Sequence, residues 1–148
     1  MWYKFILKRN KYINGDIEIL IQIKKEEEKY RKINTRRYLH EIFNDQIVIE
    51  RKRSLNEISN NLTHNRQQFE NELIRSNNAK LILMVENQQG YQNIIKHNYR
   101  TDYKPKSFIG TLHSFKHRYD MEVMFIDPDY NGQFLRYEFY YYLREYLK

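Results

Sequence analysis

The stretch IVIERKRSLNEISNNL, residues 47 to 62, sets three β-branched apolar residues directly ahead of an acid and a run of bases. Residues two apart in a strand share a face. Glu50 and Lys52 therefore lie with Val48, while Arg51 lies with Ile47 and Ile49. A carboxylate and an ammonium emerge side by side at the end of a core element. Immediately afterwards Ser54 and Glu57 have the spacing of a helix-starting capping box, and Leu55, Ile58 and Leu62 fall on one helical face. The stretch reads as a buried strand passing into an amphipathic helix.

Working downstream, Thr63 offers a second helix cap, and RQQFENELIR, residues 66 to 75, carries Phe69 and Leu73 four apart. The next apolar run, KLILMVE at 80 to 86, reads as a buried central strand. The intervening helix pair has the length that joins two parallel strands. GYQNIIKHNY, residues 90 to 99, reads as a short helix. Pro105 suits a first helical position, and Phe108, Leu112, Phe115 and Tyr119 follow at helical spacing. MEVMFI, residues 121 to 126, is another short strand, and the tail from Gly132 is an amphipathic helix dense in tyrosine.

Upstream, WYKFILKR is apolar enough for a strand, and Asn14-Gly15 is a strong hairpin turn. In DIEILIQI, Ile17, Ile19, Ile21 and Ile23 alternate with Asp16, Glu18, Leu20 and Gln22, the pattern of a half-buried strand. Residues 24 to 45 form a charge-dense insert with Glu26 to Glu28 ahead of Lys29, Arg31 and Lys32. The order of elements belongs to the α/β class. A single domain spanning residues 1 to 148 is expected, with no internal repeat and no Pro- or Gly-rich linker.

The chain has no cysteine, which excludes thiol nucleophiles, disulfides and cysteine-type zinc sites. No apolar run approaches a membrane span and no signal-peptide pattern opens the chain, so a cytoplasmic protein is expected. Against 19 acidic residues stand 26 Lys and Arg, a formal net charge of +7. That surplus favours a polyanionic partner, nucleic acid above all. His113 and His117, four apart on a helix, read as surface residues, since no third ligand accompanies them.

Two acids converging at one sheet edge can share a hard divalent cation that takes oxygen ligands. The cation lowers the pKa of bound water and stabilises phosphoryl charge, and a neighbouring lysine orients that water or supports the developing oxyanion. Asp16, Glu50 and Lys52 are the candidates for phosphodiester hydrolysis of this kind.

VIERKRSLNEISNNLTHNRQQFENELIR followed by KLILMVE resembles the nuclease domain of the XPF/Mus-type structure-specific endonucleases. Their pattern is a Gly-Asp, then Glu-Arg-Lys after a hydrophobic strand, then a helix pair and an apolar strand. From about residue 45 onward, including NYRTDYKPKSFIGTLHSF and FYYYLREYLK, the chain is similar to stand-alone members carried by phages and low-G+C bacteria. The resemblance implies a restriction-endonuclease-like, PD-(D/E)xK core, a mixed β-sheet flanked by helices. It also implies Mg²⁺ or Mn²⁺ dependence and endonucleolytic cleavage of branched or flap-like DNA.

Matched residue by residue, Gly15-Asp16 corresponds to Gly-Asp and Glu50-Arg51-Lys52 to Glu-Arg-Lys. Asp16 and Glu50 are then metal ligands, with the Arg51 carbonyl as a third, and Lys52 is the catalytic lysine. Arg66 corresponds to the family's arginine in the turn between the two following helices and faces phosphate or holds the loop, and Arg53 is a further nucleic-acid-binding residue. The family's habit of pairing nuclease domains implies a homodimer. The family's Asp-x-Arg-Glu strand ahead of Gly-Asp has no counterpart in residues 1 to 14, and Asn56 stands where the family carries an acid, with Glu57 next. These departures set a second reading beside the first: a catalytically impaired, phage-derived relative that binds nucleic acid or inhibits a host defence nucleoprotein complex.

Overall fold

A computed structural model describes residues 2–4, 47–76 and 79–146. Among the described residues four strands form one sheet in the order β1 (Trp2–Lys4), β2 (Ile47–Lys52), β3 (Lys80–Glu86), β4 (Met121–Ile126). The sheet is mixed: β1 runs antiparallel to β2, and β2, β3 and β4 are parallel. Helices α1 (Leu55–Leu62) and α2 (Arg66–Arg75) connect β2 to β3. Helices α3 (Gly90–Ile95) and α4 (Pro105–Arg118) connect β3 to β4, and α5 (Asn131–Tyr146) follows. The Asn14-Gly15 turn, Asp16, the 16–23 strand and the 24–45 insert lie outside the described residues.

The runs IVI and LILMV are continuous because β2 and β3 are covered on both faces. On one face Val48, Leu81, Leu83 and Val85 pack with Leu55, Ile58 and Leu62 of α1, Phe69 and Leu73 of α2, and Phe108, Leu112 and Phe115 of α4. On the other, Ile47, Ile49, Ile82 and Met84 pack with Phe139 of α5. The alternation read from the sequence fixes which face each strand residue takes. Together the elements make a small α/β domain whose three-stranded parallel sheet is flanked by helices, compatible with a restriction-endonuclease-like core.

Local chemistry sets the helix boundaries. Ser54 Oγ accepts from the Glu57 amide at 3.2 Å, while Glu57 Oε2 accepts from the Arg53 amide at 2.8 Å, one residue earlier than in the reciprocal capping box. Thr63 does not cap α2. Its hydroxyl donates back to the Ser59 carbonyl at 2.8 Å, and Asn65 is the N-cap residue, with no side-chain capping bond. A hydroxyl at the end of a helix has the i−4 carbonyl within reach, and here that bond wins over a forward cap. Helix α3 ends at Ile95, short of residue 99, and His97 adopts a left-handed φ of 58°. Pro105 starts α4, as its fixed φ and missing N–H favour.

Candidate active site

Glu50 and Lys52 stand at the carboxyl end of the central strand β2. Across the sheet Glu50 is in register with Leu83 and Lys52 with Val85, so both charges have apolar neighbours on their own face. Both residues are buried, at 3% and 4% exposure. Lys52 Nζ lies 2.5 Å from Glu50 Oε1. It also sits over the Phe69 ring, 4.8 Å from its centroid, a cation–π contact in a water-poor setting.

These two side chains open into a cavity of about 210 Å³. Helix α1 contributes Asn61 to its wall, and α2 with its N-cap contributes Asn65, Gln68, Phe69 and Glu72. Those last four positions follow the i, i+3, i+4, i+7 spacing of one helical stripe. Read as sequence, that stripe of amides and an acid looks like a solvated face; only its spacing opposite the Glu-x-Lys strand end marks it. Asn61 Oδ1 is buried in this wall with no hydrogen-bond partner among the described residues. A buried acceptor in that condition is costly unless a donor or a cation completes it.

Burial pushes the Glu50 carboxyl above its ordinary range, and the nearby Lys52 ammonium opposes that rise without cancelling it. The charged form of Glu50 therefore lacks the stabilisation water would give it. A group in this condition gains from a cation, and the cavity lining is chemically suited to a hard one: two carboxylates, Glu50 and Glu72, and three side-chain amides supply oxygen donors. Among the described residues no three His, Cys, Asp or Glu side chains cluster closely enough to hold a metal by themselves. Asp16, the other acid expected here, lies outside those residues.

Arg51 points to the opposite face, where its guanidinium Nε pairs with Glu86 Oε1 at the end of β3. Its side chain is thus absent from the cavity, as the strand alternation requires. Arg66 is the first residue of α2, not a turn residue; it pairs with Glu70 at 3.5 Å and lies over the Phe115 ring at 5.2 Å. Arg53 is exposed beside the capping box. Asn56, in place of the family's acid, accepts from the Arg100 amide at 2.7 Å and ties α1 to the loop ahead of α4. His113 and His117 are both exposed on α4. In the tyrosine-rich tail Phe139 is buried, whereas Tyr137 and Tyr141 are half exposed beside Tyr130. None of the described helices is long and apolar enough to cross a membrane.

A mixed sheet in which an inner strand ends in a buried Glu-x-Lys, facing a polar cavity roofed by the following helix pair, defines an α/β domain suited to phosphoryl chemistry. The ERCC4 domain family matches residues 14–130, and the chain belongs to that family. It is thereby placed among nuclease domains that act on DNA, which generally depend on divalent metal. The matched span includes the Gly-Asp at 15 and 16, the Glu-Arg-Lys at 50 to 52 and every cavity-lining residue. No curated protein and no solved structure matches the chain.

Proposed function

We propose that this protein is a Mg²⁺- or Mn²⁺-dependent endonuclease that hydrolyses phosphodiester bonds in branched or flap-like DNA, with Asp16, Glu50 and Lys52 as its catalytic residues. The observation that carries this reading is the buried Glu50–Lys52 pair, 2.5 Å apart, opening into a polar cavity at a strand end. A fold gains little stability from an ion pair placed there, because desolvation offsets most of the attraction. Chemistry gains from it, since buried charges act strongly on a reacting group.

Glu50, Asp16 and the main-chain carbonyl of Arg51 would hold the cation, which supplies an activated water and charge neutralisation at the phosphoryl group. Lys52 presents its ammonium to the phosphate or to the attacking water, and the cavity wall of α2 keeps bulk solvent from the pair. Arg66 and Arg53 contact backbone phosphates, consistent with a net charge of +7. The half-exposed Tyr137 and Tyr141 on α5 supply a surface for a homodimer.

The test is nicking of end-labelled flap and fork DNA in Mg²⁺ or Mn²⁺ by the full chain, alongside Glu50→Ala and Lys52→Ala. Cleavage by the wild type that both substitutions abolish supports the proposal. DNA binding without cleavage in either metal overturns it and favours the impaired relative that binds nucleic acid or a host defence complex.

A further inference from the structure

Beyond the cavity wall, two arginines from distant parts of the chain share one acid. Arg66 Nη2 at the start of α2 and Arg118 Nη1 at the end of α4 both reach Glu70 Oε1, at 3.5 and 3.1 Å. Both guanidiniums also lie over the Phe115 ring, at 5.2 and 5.6 Å from its centroid. That ring is fully buried, stacked on Phe69 at 6.2 Å and edge-on to Tyr119 at 5.4 Å, so the platform is rigid. Glu70 is tucked inside at 18% side-chain exposure, while Arg66 and Arg118 are 45% and 53% exposed.

A surface ion pair alone does not account for this arrangement. One carboxylate neutralises only half of the charge it holds together, and two like charges brought to a single oxygen repel each other. Each guanidinium has five N–H donors, and most remain available on the solvent side. Arg66 moreover occupies the first turn of α2, where the helix dipole disfavours a cation. That helix start carries no acid and no side-chain cap, the condition in which a helix start favours an anion. Lys116, two residues before Arg118 on α4, is exposed too but lies off that face of the helix.

We infer that Arg66 and Arg118, preset on Phe115 with Glu70 between them, bind a backbone phosphate of nucleic acid flanking the one at Lys52. The inference rests on the nuclease reading only for what lies next door: Lys52 stands on Phe69, which is stacked on Phe115. Stacked, bidentate-capable guanidiniums are preorganised for phosphate in a way that a free lysine is not. Glu70 keeps the two arginines together in the absence of DNA and weakens their net attraction for it.

The experiment is equilibrium binding of fluorescent flap DNA by the full chain in EDTA, at several salt concentrations, with folding checked by thermal melting. Arg118→Gln is expected to weaken binding about tenfold and to make the log–log salt slope shallower by about one. Glu70→Gln is expected to tighten binding. Lys116→Gln, on the same helix, is expected to have a clearly smaller effect than Arg118→Gln. Unchanged affinity for Arg118→Gln, or equal effects of Lys116→Gln and Arg118→Gln, overturns the inference. If Arg118→Gln fails to fold, Glu70→Gln decides: weaker or unchanged binding overturns it. Because cleavage is absent from the measurement, a chain that never cuts leaves this result intact, and intact cutting with unaltered binding sinks this inference alone.

Discussion

Glu50 Oε1 and Lys52 Nζ stand 2.5 Å apart on one face of β2, with side chains 3% and 5% exposed. Neutralising Lys52 leaves the Glu50 carboxylate buried without its counter-charge, which typically costs about 3–5 kcal/mol. Lys52→Met is therefore expected to lower stability strongly in urea unfolding at neutral pH, whereas Glu50→Gln, which resembles the protonated carboxyl that burial favours, is expected to cost little. The double substitution removes both charges and is expected to recover most of the Lys52→Met loss. Additive losses in the double variant would mean that the pair is not energetically coupled. Cleavage should fall by roughly 10²-fold or more in each single variant, the scale of losing a group aimed at developing charge, and the double variant should not regain it.

Without metal, the raised Glu50 pKa gives stability a pH signature, because burial outweighs the opposing Lys52 charge. For stability, Glu50 is protonated in both states at pH values below the ordinary carboxylate pKa. As pH rises toward the raised value, the unfolded chain has released its proton while the folded chain still holds it. The Glu50 contribution is thus complete at low pH and is lost as pH rises through the folded pKa, levelling off above it. Urea unfolding across acid pH should reveal this slope, and Glu50→Gln should remove it. An unchanged slope in that variant would assign the titration to another group.

Arg51 separates a side-chain role from a main-chain one. Its guanidinium pairs with Glu86, whose side chain is 8% exposed, on the face opposite the cavity. Arg51→Met should cost about 1–3 kcal/mol by leaving that carboxylate without its main counter-ion. The backbone carbonyl proposed as a metal ligand is untouched by the change. Cleavage per folded molecule should accordingly stay within about threefold of wild type, with the loss appearing in denaturant midpoint. A large fall in rate at full folding would give the Arg51 side chain a part in the chemistry.

What the sequence disclosed and what it withheld have physical reasons. The period of two in IVIERK was enough to put Glu50 and Lys52 on one face and Arg51 on the other, since successive side chains of a strand point to opposite faces. The helix pair after it was legible from the Ser54 cap and from apolar spacing, although Thr63 does not cap the second helix. The cavity wall was not, because Asn65, Gln68 and Glu72 carry the polarity of a solvated helix face, and only the fold turns that face toward β2. Arg118 was equally silent, since its meeting with Arg66 depends on α4 ending beside the start of α2. The tail gave its helix by length and pattern, but with aromatics on nearly every side it did not say that Phe139 is buried. Asp16, the other candidate acid of the sequence, lies outside the described residues.

Gly90 makes the last case, a position where packing and helix propensity pull in opposite directions. It is buried at the start of α3, and a Cβ built there would lie 2.0 Å from Cδ1 of Phe125 and 2.6 Å from its Cε1 and Cγ. Phe125 sits in β4 and packs against the core cluster shared by α1, α2 and α4, so its ring cannot swing away freely. Propensity alone would favour alanine by at most about 1 kcal/mol, and less at a helix start than in its interior. Overlap of a new methyl with a packed ring typically costs about 1–3 kcal/mol. Gly90→Ala should therefore destabilise, and Phe125→Ala, which removes the clashing ring carbons, should make the alanine less harmful than in the wild-type background. Chemical denaturation of the two singles and the double measures that coupling; a Gly90→Ala chain as stable as wild type would show that the β4 ring has room to move.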